Sequence, residues 1–60
     1  MNTYMRMQIL NMVTMTQTFD QACELAAQKD DGHIDAAETK TLQQIKKASS
    51  QFRKELKRLL

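Results

Sequence analysis

The stretch Asp30-Asp31-Gly32-His33-Ile34-Asp35-Ala36-Ala37-Glu38 constrains this chain most, because it stops one helix and starts another. Gly32 is the single glycine, and there is no proline. Glycine enters the left-handed conformation without steric penalty, which suits the position just past a helix end. Asp30 and Asp31 draw the backbone into turns through side-chain hydrogen bonds. Asp35-Ala36-Ala37-Glu38 has the spacing of a capping box. Asp35 accepts from the free amides of the first turn, and Glu38 reaches back to the Asp35 amide. Both carboxylates also meet the positive end of the helix dipole. The pattern predicts a turn over residues 30–34, between a helix over about residues 3–29 and a second over about residues 35–59.

The first arm holds all five methionines, and its segment up to Phe19 carries Arg6 as its one charge. Met5, Ile9, Met12, Thr16, Phe19, Cys23 and Ala26 recur by fours and threes, a coiled-coil-like seam with one polar lapse at Thr16. Met7, Leu10 and Leu25 fall outside that seam, so the arm is apolar on more than one side. A period of two competes: Met5, Met7, Ile9, Val13, Met15 and Phe19 alternate against Thr14, Thr16 and Thr18, as in a strand. No turn signal separates such a strand from the helix-forming Asp20–Gln28, so the helical reading is preferred. In the second arm Leu42, Ile45, Ser49, Phe52, Leu56 and Leu59 step by three and four, with Ser49 as the polar lapse. Arg53, Lys54, Lys57 and Arg58 end it, near the negative pole of the dipole.

Sixty residues make one domain at most, and a chain this short buries little surface when it folds alone. Small domains compensate with disulfides, a metal or association. Cys23 is the only cysteine, so no disulfide forms within the chain. One cysteine and one histidine make a structural zinc site a poor expectation. Association remains. The fold expected is therefore all-α: an antiparallel two-helix hairpin that self-associates into a four-helix bundle or docks on a partner. The interface residues expected are Met5, Ile9, Met12, Met15 and Phe19 on one arm, with Leu42, Ile45, Phe52, Leu56 and Leu59 on the other.

The run Asp31-Gly32-His33-Ile34-Asp35-Ala36-Ala37-Glu38 also resembles the second half of an EF-hand loop. In that register Asp31, Asp35 and Glu38 take loop positions five, nine and twelve, which the resemblance implies as calcium ligands. Ala27 and Lys29 stand at the first and third ligand positions, and neither offers an oxygen. What the resemblance implies is a degenerate helix-loop-helix over the central third of the chain.

No catalytic constellation is expected. Cys23 and His33 are the one thiol–imidazole pair, placed on a helix and in the turn. There is no glycine-rich phosphate loop, and a two-helix hairpin has no deep pocket for a small-molecule substrate. No cofactor is expected. Charge is uneven: residues 1–33 carry two cations and four anions, and residues 34–60 carry seven cations and three anions. Lys46, Lys47, Arg53, Lys54, Lys57 and Arg58 make the second arm a candidate nucleic-acid surface. A paired hairpin with such rows is similar in architecture to the Rop family of RNA binders. The strand reading of the first arm would instead resemble the ribbon-helix-helix repressors. The expected function is a small non-enzymatic protein that works as an oligomer or adaptor, with nucleic-acid binding as the alternative. No membrane span is expected, and the free cysteine fits a cytoplasmic setting.

Overall fold

The structure is a computed structural model that describes residues 1–29 and 31–60. Two helices, α1 (Thr3–Gln28) and α2 (Ala36–Arg58), pack antiparallel along their length. The Cα trace measures 46 × 17 × 7 Å, a flat slab one helix thick.

Each boundary has a local cause. Asn2 caps α1, its side chain accepting from the Met5 amide at 2.8 Å. At the other end the Gly32 amide donates to the Gln28 carbonyl at 2.9 Å. Gly32 itself sits at φ +84°, the left-handed region that a β-carbon disfavours. Asp31 Oδ1 accepts from the His33 amide at 3.2 Å and tightens the turn. The capping box forms in full: Asp35 Oδ1 accepts from the Glu38 amide at 2.8 Å, and Glu38 Oε1 from the Asp35 amide at 3.2 Å. Asp30 lies outside the described residues.

The first arm is helix, not strand, and the ribbon reading is corrected accordingly. Its threonines do not resist. Thr14 donates to the Leu10 carbonyl, Thr16 to that of Val13 and Thr18 to that of Thr14, so each hydroxyl is satisfied within the helix. A lone strand beside the second helix would leave both of its edges unpaired within the chain, whereas the helix satisfies its own backbone.

Val13 and Leu42 are the only buried residues among those described. The seam between the helices runs through Ile9, Val13, Thr16, Asp20, Cys23 and Ala27 on α1. It meets Glu38, Leu42, Ile45, Ser49, Arg53 and Leu56 on α2. These side chains are buried or half-buried; of the other helical residues Glu24 alone is half-buried and the rest are exposed.

Two substitutions test the turn. Gly32→Ala is expected to destabilise the fold by about 1–2 kcal/mol through the left-handed backbone alone, since a β-carbon there meets nothing within 4 Å. Asp35→Ala removes one cap and is expected to lose about 1 kcal/mol. Urea unfolding followed by circular dichroism measures both.

Candidate functional site

Polar chemistry concentrates at one level of the seam. Asp20 accepts from Ser49 Oγ at 2.7 and 2.9 Å and from Arg53 Nη1 at 3.2 Å. Arg53 Nη1 also reaches Thr16 Oγ1 at 3.3 Å. The Arg53 and Asp20 side chains keep only 17% and 13% of their exposure, so this ion pair is largely withdrawn from water. Thr16 and Ser49, the two polar lapses of the sequence pattern, thus come together in one network. Asp20 is polar, so the spacing of apolar residues along the first arm does not point to it. The available signal was the coincidence of two polar lapses, one on each arm, at matching distances from the turn.

Further toward the turn Lys46 pairs with Glu24 on the surface. The Glu24 carboxylate, by hydrogen bond and by charge, raises the Lys46 pKa above its ordinary 10.5. A raised lysine pKa contributes stability that is fully present below the unfolded value and is lost as pH climbs through the folded one. That contribution is therefore level across neutral pH and disappears only above about pH 10.5.

The opposite face of the slab is apolar. Near the turn, Cys23 and Ala26 of α1 and Ala37, Thr41 and Ile45 of α2 line one open groove of about 380 Å³. That groove identifies which side of each helix shares this face. Counting back from Ala26 in sevens reaches Phe19, Met12 and Met5; counting forward from Ile45 reaches Phe52 and Leu59. These five side chains are exposed, Phe19 to 54% and Leu59 to 61%. Met15, also exposed, lies beside Phe19 and Met12 on the outer edge of the face. Of the expected interface set, Ile9, Leu42, Ile45 and Leu56 are drawn into the hairpin's own seam. Met5, Met12, Met15, Phe19, Phe52 and Leu59 are left facing outward. Val13, the most buried residue of α1, was not in that set. It lies one residue after Met12, and the narrower contact of a single partner helix selects it.

The expected cation set divides. Lys46 and Arg53 are engaged with Glu24 and Asp20 of α1. Lys47, Lys54, Lys57 and Arg58 have no ion-pair partner among the described residues. Lys47, Lys54 and Arg58 recur by seven and four along one ridge.

In the central turn, Asp35 and Glu38 spend their carboxylates on the capping box and Asp31 on the turn. No three His, Cys, Asp or Glu residues gather into a metal-binding group among the described residues. Cys23 is half-buried at the groove, and His33 is exposed beside Asp31 at 3.7 Å. No helix among the described residues is long and apolar enough to cross a membrane.

Comparison with protein-family models, with curated proteins and with solved structures finds no match to this chain.

Asp20→Ala leaves Arg53 half-buried without its carboxylate and is expected to destabilise the fold by about 1–3 kcal/mol. Lys46→Ala removes an exposed pair and is expected to leave the melting temperature near that of the parent. Thermal unfolding of the two variants side by side provides the comparison, and equal losses would remove the distinction between them.

Proposed function

We propose that this protein is a small non-enzymatic interaction module that works by docking its apolar face onto other helices. One observation carries the reading. A compact folded monomer of 7.0 kDa exposes about 4,000 Å², whereas this hairpin exposes 4913 Å². The surplus, roughly 900 Å², is close to the ~800 Å² that each partner contributes to a standard protein interface. Twelve large hydrophobic side chains are exposed, against two buried ones among the described residues. Six of the twelve, Met5, Met12, Met15, Phe19, Phe52 and Leu59, gather on the one face, and a contiguous exposed apolar patch supports reading it as a contact surface. Methionine-rich helices suit such a role, since the unbranched thioether adapts to the partner's shape.

Native mass spectrometry of gently purified protein tests this. The expected spectrum is dominated by complexes, either with further copies or with a co-purifying helical protein. A bare monomer whose helicity holds on dilution would overturn the reading.

A second reading, nucleic-acid binding, draws support from Lys47, Lys54, Lys57 and Arg58, which are exposed on α2 and have no ion-pair partner among the described residues. It predicts retention on RNA or DNA that falls steeply with salt. Lys54→Ala would then lower the slope of log affinity against log salt by about one. Salt-independent passage of the parent protein over both polymers rejects it.

A further inference from the structure

Ser50 stands at the centre of a ring of cations. On a helix surface the neighbours of a residue are those three and four positions away on either side. For Ser50 these are Lys46, Lys47, Arg53 and Lys54, so every one of them is a cation. Lys46 and Arg53 are held by Glu24 and Asp20 of α1. Lys47 and Lys54 are exposed and have no ion-pair partner among the described residues. Glu55, the one acid of α2 beyond its first turn, lies about 140° around the helix from Ser50.

The Ser50 hydroxyl is itself available. Within a helix, serine and threonine return their hydroxyls to carbonyls of the preceding turn. Thr14, Thr16, Thr18, Thr39, Thr41 and Ser49 all do so. The Ser50 hydroxyl makes no hydrogen bond among the described residues, and Ser50 is exposed. Lys54 in turn has Lys57 and Arg58 at the next three and four positions. Like charges at that spacing repel, and an anion seated beside them relieves the repulsion.

Resting on the nucleic-acid reading above, we propose that Ser50, Lys47 and Lys54 form a seat for one backbone phosphate of a double-stranded nucleic acid. The hydroxyl donates to a phosphate oxygen, and the two ammonium groups approach the phosphate from either side along α2. Lys46 and Arg53, already fixed by α1, add positive charge behind the seat. Lys57 and Arg58 meet further phosphates toward the end of the helix.

The surroundings of the seat choose the ligand. From Lys47 to Arg58 the cations run for about 16 Å along α2, against a duplex that carries one charge per ~1.7 Å of its axis. Single strands are held by stacking their bases on aromatic rings. The three aromatic residues are Tyr4 and Phe19 on α1 and Phe52 on α2. Phe52 lies about 160° around the helix from Ser50, so bases have nothing to stack on at the seat. Contact is then to phosphate alone, which carries no sequence information. Between the cations α2 presents Gln43, Ser50 and Gln51, which offer a lipid bilayer no apolar side chain to insert.

Fluorescence anisotropy of a labelled short DNA duplex with the full chain, across a range of salt, tests the seat. The parent is expected to bind two unrelated sequences equally and to release both steeply as salt rises. Ser50→Ala is expected to weaken binding about five- to tenfold at an unchanged salt slope, because it removes a hydrogen bond and no charge. Lys47→Ala with Lys54→Ala is expected to lower the slope by about two. Ser50→Glu places a carboxylate in the seat and is expected to weaken binding at least about a hundredfold. Its melting temperature is expected to stay at or above that of the parent, since all four neighbours are cations. Ser50 variants that bind as the parent does overturn the seat and leave the nucleic-acid reading standing. Tighter binding to the single strand, or preference for one duplex sequence, overturns the choice of ligand and with it the proposal. A parent that ignores the duplex, or that binds phosphatidylserine vesicles in its place, overturns both the seat and the reading beneath it.

Discussion

The Asp20 carboxylate holds the register of this protein. It lies in the seam between two helices that share little apolar contact, and it takes up Ser49 and Arg53 from the facing helix. Hydrophobic contact alone allows one helix to slide along another, because it is non-directional. A withdrawn carboxylate with two donors does not. Sliding α2 by one turn would separate the acid from the guanidinium, and a largely desolvated charge without its partner is unfavourable. Register, and with it the level of every other contact, follows from this pair and from the short turn.

The same network divides the hairpin into two sides. Arg53 emerges from the seam on the side where Lys46 meets Glu24, so ionic contacts crowd there. The opposite side is mostly apolar, with Thr41 and Glu38 as the polar residues lining its groove. Two helices offer each other one stripe apiece, which is why Val13 and Leu42 are the only buried residues among those described. The remaining apolar residues of α1 have no intramolecular counterpart. That imbalance leaves the outer apolar side chains of α1 open to a partner, and the proposed docking role rests on it.

The central turn shows how one set of residues satisfies two patterns. Asp35 and Glu38 stand where a calcium loop would place two ligands, and they also stand where a helix needs a capping box. The capping box is what forms. Its two hydrogen bonds are local and need no other residue, whereas an ion site would need oxygens from positions that Ala27 and Lys29 occupy.

The sequence by itself determined the two-helix hairpin. Caps, the single glycine and helical periodicity are local signals, and local signals suffice to start, stop and orient a helix. It also carried the shortage of core, since length and a lone cysteine are matters of composition. Tertiary structure alone decided which apolar stripe of α1 turns inward. Met12 and Val13 are adjacent and both apolar, so periodicity cannot choose between them; the choice falls to the geometry of contact with α2. It also decided that Asp20 belongs inside. A carboxylate is expected in water, and the arrival of Ser49 and Arg53 from the other helix compensates its partial withdrawal from solvent. The same rotation sends Phe19, Met12 and Phe52 outward, so the candidate docking face exists because a polar network claimed the seam.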